Sequence, residues 1–178
     1  MDQSAVDMFL AIGSNLSGIM QGVTIILAIA GIYSVGHGLT QQMRHGRAGQ
    51  AVLPSTIAWV LAGSFMLSLD ALIKTFSYTL YATNITPMNA LSYVTPTGSN
   101  TDIAMGVILW IIAVIGYIAV GRGLFIWRSG PDSGQQGWFA KGLVFIIGGV
   151  ISTNMITFID ILATTVGHEP YGTNYLSY

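Results

Sequence analysis

The chain has 178 residues, of which 52% are hydrophobic and only 7% charged, with a formal net charge of -1. Soluble domains carry about 25% charged residues, so six basic and seven acidic side chains cannot cover a water-soluble globule of this length, and their balance excludes a generally basic nucleic-acid binder. The absence of cysteine excludes disulfides, thiolate metal sites, iron–sulfur clusters and thiol catalysis, and the composition as a whole is that of a membrane protein.

Because an ionised side chain is costly at the bilayer centre, the uncharged runs locate the spans. The first extends from Met8 to Met43 and, at about 1.5 Å per residue, exceeds a hydrocarbon core of about 30 Å, so it must tilt, bend or project. The second runs from Ala51 to Leu69, with Pro54 suited to a first helical turn, and is expected to continue through Asp70 and Lys74 to an aromatic belt at Phe76, Tyr78 and Tyr81. The third occupies Ile103 to Gly121, with Thr101 and Asp102 as candidate caps. The fourth runs from Gly142 to Ile159 and on through Asp160 to Val166, where Gly167 stops it. The expected fold is therefore all-α, with four membrane-type helices forming two tandem hairpins: residues 1–81, then an outward-facing linker loop at 82–101, then 102–178 with a C-terminal tail.

Met1 to Asp7 contains Asp2 and Asp7 and no Lys or Arg, so a cleaved signal peptide is not expected. The basic residues fall in two places: Arg44 and Arg47 between spans one and two, and Arg122, Arg128 and Lys141 around the connection between spans three and four. By the positive-inside rule both turns face the cytoplasm, and the N-terminus, central loop and C-terminus face outward. Val35-Gly36-His37-Gly38-Leu39 recurs as Val120-Gly121-Arg122-Gly123-Leu124, 85 positions on, each followed by an Arg-x-Gly. Leu69-Asp70-Ala71-Leu72 likewise resembles Ile159-Asp160-Ile161-Leu162. Two copies that both start outside are parallel repeats, related by an axis near the membrane normal.

Gly18 with Gly22, and Gly148 with Ser152, are small-x-x-x-small pairs that let helices approach closely in lipid, within one subunit or between subunits. Asp70 and Lys74, four apart with the acid first, are placed for an intramembrane ion pair, whereas Asp160 has Thr164 at that position and no local partner. No Gly-x-Ser-x-Gly elbow, phosphate loop or paired histidine motif occurs, so neither an enzyme nor a metal site is expected. Arg44, His45, Arg47, Arg122, Arg128 and Lys141 instead form cationic turns suited to anionic lipid headgroups, each Lys or Arg contributing about 1 kcal/mol near such a surface. Gathered around an axis in an assembly, they would line a lumen.

Apolar helix pairs joined by short basic turns, with both termini outward and Gly/Ala-rich packing faces, resemble the pilins of conjugative type IV secretion systems. They are also similar to small inner-membrane proteins of type IVB transfer systems, of the IncI and Dot/Icm kinds. The resemblance implies a structural subunit: a pilin polymerising into a lipid-containing tube, with Arg44 to Arg47 and Arg122 to Lys141 facing the lumen, or a stationary component of the same apparatus. It implies as partners copies of the chain, anionic phospholipid and other secretion-system membrane proteins, with nucleic acid or protein only as transported cargo. It implies storage in the bacterial inner membrane with both termini periplasmic. The rival from another class is a small ion or proton channel or transporter subunit using Asp70 and Asp160.

Overall fold

The computed structural model describes residues 3–47, 54–81, 100–134 and 136–167. The central loop and the C-terminal tail lie outside them, as do the side chains of Asp102 and Asp160. The described residues are all-helical, in the order α1 (Gln3–Arg47), α2 (Pro54–Leu67), α3 (Leu69–Tyr81), α4 (Asn100–Ser129), α5 (Trp138–Thr153) and α6 (Met155–Thr165). Gly18–Arg47 and Gly106–Ser129 are long and apolar enough to cross a membrane, and the pairs α2–α3 and α5–α6 qualify as two more spans if each bent pair is counted as one.

α1 holds no proline, which lets it run unbroken, and its last turn carries Arg44, His45 and Arg47, where positive charge complements the helix dipole. Pro54 opens α2 as expected, since a first-turn residue needs no intrahelical donor. α4 begins at Asn100, so Thr101 and Asp102 fall within its first turn instead of capping it. Gly167, at φ +81°, follows α6 and ends it in the left-handed conformation that glycine adopts without strain.

Two expected straight spans are sharply broken. The second turns by 89° between α2 and α3, and the fourth by 85° between α5 and α6. Near the first break, Ser64 Oγ donates to the Val60 carbonyl at 2.8 Å and Ser68 Oγ to the Ser64 carbonyl at 2.9 Å, a back-bonding that bends helices. At the second, Asn154 Nδ2 donates to the Val150 carbonyl at 2.8 Å and so enters the helical ladder itself. Asn154 is 4% exposed, and its amide also donates to Ser77 Oγ of α3 at 2.8 Å, tying the end of α5 to α3.

α1 packs along α2 and α4 along α5, while α4 also packs on α1 and α2, so the two halves share one core. Met20, Leu27, Met66, Tyr117, Leu124 and Ile146 are among its members. Glycine sets the closest approaches. A Cβ on Gly31 would stand 2.8 Å from the Gly63 carbonyl oxygen, and one on Gly116 would stand 2.6 Å from that of Gly149, so only glycine allows these backbones to meet. Gly116 and Gly149 lie 85 and 86 positions beyond Gly31 and Gly63, and Asn154 lies 86 beyond Ser68. Around the outside, Ile25, Ile29 and Ile32 of α1, Leu61 of α2, Ile115 of α4 and Val144 of α5 are exposed, a girdle that suits hydrocarbon and not water.

Candidate functional site

Polar groups are drawn to the seam where the first hairpin meets the second, in clusters at two levels. At the level of the α2–α3 break, Tyr117 of α4 is buried and its hydroxyl lies 2.8 Å from Thr24 Oγ1 of α1. The same hydroxyl donates to Asp70 Oδ1 at 3.3 Å, while Thr24 Oγ1 donates to the Met20 carbonyl at 2.9 Å. With one proton on each hydroxyl, two of these three contacts are hydrogen bonds at any moment, and together the groups link α1, α3 and α4. Asp70 lies in the first turn of α3, where the helix dipole favours a carboxylate. The expected Asp70–Lys74 ion pair is not formed among the described residues: Asp70 bonds to Tyr117, and Lys74 is exposed one turn further on.

The second cluster lies towards the basic turns. Arg128 is half-buried, with its guanidinium carbon 4.5 Å from the centre of the Trp59 ring and 5.2 Å from that of Phe125. Its Nη1 donates to Ser34 Oγ at 3.2 Å, and Ser34, fully buried, donates in turn to the Ala30 carbonyl. Trp59 donates its indole N–H to Asp132 Oδ2 at 2.6 Å, so the second half of the chain holds both the face and the edge of that ring. His37 adds a ring contact to Trp59 at 4.5 Å and lies 3.2 Å from Gln41 Nε2. Arg128 Nε is buried without a hydrogen-bond partner.

The Ser34–Arg128 and Thr24–Tyr117 contacts run in the same direction along α1 and α4, so these helices are parallel and both basic turns lie at one end of the bundle. The six cationic candidates do not behave alike there. Arg44 and Arg47 are exposed at the end of α1, His45 is half-buried, and Lys141 is exposed in the first turn of α5. Arg122 is exposed with its guanidinium 5.1 Å from the Phe145 ring centre. Arg128 is the exception, folded inward against Trp59 and Ser34 instead of outward to a lumen or headgroup.

The small-residue pairs are also divided. Among the described residues nothing lies within 4 Å of a Cβ built on Gly18, Gly22 or Gly148, so none of these carries a close contact with them. Ser152 does pack internally, beside Gly116. Glycines that bring helices together, Gly31, Gly63, Gly116 and Gly149 among them, belong to neither pair. Thr24, Ser34, Trp59 and Tyr117 are the site residues that sequence reasoning missed; a hydroxyl or indole inside an apolar run was the available signal. Comparison with family models, with curated proteins and with solved structures gave no match.

Proposed function

We propose that the chain is a structural, non-catalytic membrane subunit that assembles laterally with copies of itself, as part of a conjugative or type IV secretion apparatus in the bacterial inner membrane. The observation carrying the lateral assembly is the open face of α1, where Gly18 and Gly22 meet none of the described residues of the subunit. Close helix approach through such a pair needs a second helix, and a neighbouring copy supplies one. The secretion setting rests on the resemblance of the basic-turn hairpins to that family of subunits.

Between a pilin and a stationary component, the bent helices favour the stationary one. A slender tube needs subunits whose helices lie along a common direction, whereas α3 and α6 turn sideways by 89° and 85°. Arg128, engaged with Trp59 and Ser34, is not free to line a lumen. The remaining exposed cations, Arg44, Arg47, Arg122 and Lys141, bind anionic phospholipid headgroups at the cytoplasmic face, with both termini periplasmic. The two halves are tandem copies related by an axis near the membrane normal. Supporting this are the equivalent glycine contacts and breaks, offset by 85 or 86 positions. In that register Ile156 corresponds to Asp70, and Asp160 falls one turn beyond it, so the two acids are not equivalent. A proton path using both lacks this symmetry, and about 15 Å of helix separates Thr24 from Ser34, the polar α1 residues of the two clusters.

Electron microscopy of the purified protein tests the assembly. Discrete rings or patches are expected for the stationary subunit, filaments would restore the pilin, and a monodisperse monomer in every detergent and lipid would overturn both.

A further inference from the structure

The two hairpins meet through unlike faces. Tyr117, Gly121 and Arg128 of α4 meet Thr24, Leu27 and Ser34 of α1, and Val114 and Leu124, on the same stripe of α4, are buried in the shared core. Set back by 85 positions, this stripe reads Ile29, Ile32, Gly36, Leu39 and Met43 on α1, and all five are exposed. Tyr117 is 2% exposed and Ile32 64%. The receiving surface differs in the same sense. Leu27, Ala62 and Leu69 of the first half are buried, whereas Ile112, Gly148 and Met155, in their register, are half-buried or exposed. The second half thus has a surface with no helix on it where the first half has α4, and α1 has the matching stripe with nothing against it.

The chemistry of these two free surfaces is matched. Within the subunit Tyr117 meets Thr24 and Asp70, and Arg128 meets Ser34. In the other register Ile32 and Met43 replace Tyr117 and Arg128, while Leu109, Ile156 and Ala119 replace Thr24, Asp70 and Ser34. Each polar group is exchanged together with its partner, so bringing the two surfaces together leaves no buried donor or acceptor unpaired. Shape is carried over as well. A Cβ on Gly121 would stand 3.0 Å from Leu27 Cδ1, so that glycine makes room for the leucine. Gly36 keeps the notch, with nothing among the described residues within 4 Å of a Cβ built there, and Ile112 stands in the register of Leu27. An acyl chain needs no such notch, whereas close approach of a helix does.

We infer that α1 of one copy packs, through Ile29 to Met43, on α4 and α5 of the next, as α4 packs on α1 and α2 within a copy, so that hairpins follow one another head to tail with Gly36 opposite the neighbour's Ile112. The inference rests on the tandem-copy and self-assembly readings above and uses neither Gly18 nor Gly22. The contact is heterologous, since unlike surfaces face each other across it. Within the subunit Leu27 faces Gly121 and not its own counterpart Ile112, a displacement of nine residues, so the row of copies runs oblique to the helix axes. Such a row lies flat in a bilayer when the helices tilt, and the uncharged run of α1, longer than the hydrocarbon core, has the length for it.

Because the chain has no cysteine, single-cysteine variants report one site each. Gly36→Cys and Ile112→Cys chains are purified separately, mixed in vesicles of phosphatidylethanolamine and phosphatidylglycerol, and oxidised with copper phenanthroline, while native mass spectrometry of the parent chain reads its oligomers. A disulfide dimer holding one chain of each kind is expected, in about tenfold or greater excess over the dimers that either variant forms alone. Parent oligomers without this mixed dimer, or an equal yield from Gly36→Cys alone, as a two-fold contact through α1 would give, overturn the inference and leave self-assembly standing. A parent that is monomeric throughout overturns both. Gly36→Leu fills the notch and is expected to reduce oligomers about tenfold or more without lowering the melting midpoint of the monomer. A Gly36→Leu variant that assembles as the parent does also overturns the inference.

Discussion

Arg128 and Arg122 are six residues apart on one helix, and at about 3.6 residues per turn they point to different faces. Which face meets the first hairpin depends on α1, whose Ser34 is 94 residues away, and no local pattern specifies that. This is why the sequence treats the two arginines as equals and the fold does not. Arg128 over Trp59 forms a partly desolvated cation–π pair, with a coupling of about 1–2 kcal/mol. A double-mutant cycle of Arg128→Met and Trp59→Leu, read by denaturant or thermal unfolding in detergent, is expected to give that coupling. Additive single effects would show that the ring and the guanidinium are merely adjacent. Tyr117→Phe removes the donor to Asp70 but leaves Thr24 bonded to the Met20 carbonyl, so a loss of about 1 kcal/mol is expected. If instead the variant is as stable as the parent, the exposed Asp70 is satisfied by water and its bond to Tyr117 adds nothing.

At the scale of the helix, glycine spacing was partly legible and helix breaking was not. The Val-Gly-x-Gly-Leu segments, read from the sequence only as a repeat, hold glycines at places of close packing: a Cβ on Gly38 would meet Val60, and one on Gly123 would meet Ile146 and the Gly142 carbonyl. The breaks at Ser68 and Asn154 gave no such sign, because neither position is glycine or proline, and serine and asparagine also occur in unbroken membrane helices. Their effect comes from side-chain donors competing for main-chain carbonyls, aided at Asn154 by Ser77 on another helix. Gly31→Ala and Gly116→Ala should force their hairpins apart and cost about 1–3 kcal/mol each, since the obstructing atoms include main-chain oxygens that cannot rotate aside. Gly22→Ala, with nothing within 4 Å, should instead leave the subunit as stable or slightly more so. Unfolding midpoints of the three variants in one detergent decide between these outcomes, and equal losses would mean that helix packing relaxes freely around a methyl group.

For the whole molecule, helices apolar and long enough to cross a membrane were written into the uncharged runs, and the two basic turns do lie at one end. What the runs did not reveal is that two of the four expected spans stop after 14 and 16 residues and turn aside, which changes the outline from a plain bundle to one with lateral helices. That outline bears on how copies meet. α1 presents an open small-residue face at Gly18 and Gly22, with Ile19, Ile25 and Ile26 exposed nearby, and its last turn carries the exposed Arg44 and Arg47. If copies associate through this face, the Gly18→Leu and Gly22→Leu double variant fills the contact without touching the packing of the described residues. Its monomer is therefore expected to retain its melting midpoint while crosslinked oligomers disappear. The Arg44→Glu and Arg47→Glu double variant should act on lipid instead: with about 1 kcal/mol of attraction lost per Arg near an anionic surface and repulsion added, it loses co-purifying anionic phospholipid while small-residue contacts persist. Quantifying both oligomer yield and bound lipid for the two variants separates the contributions. Should the leucine variant assemble normally, lipid and not a second helix covers Gly18 and Gly22, and the proposed lateral contact must be abandoned.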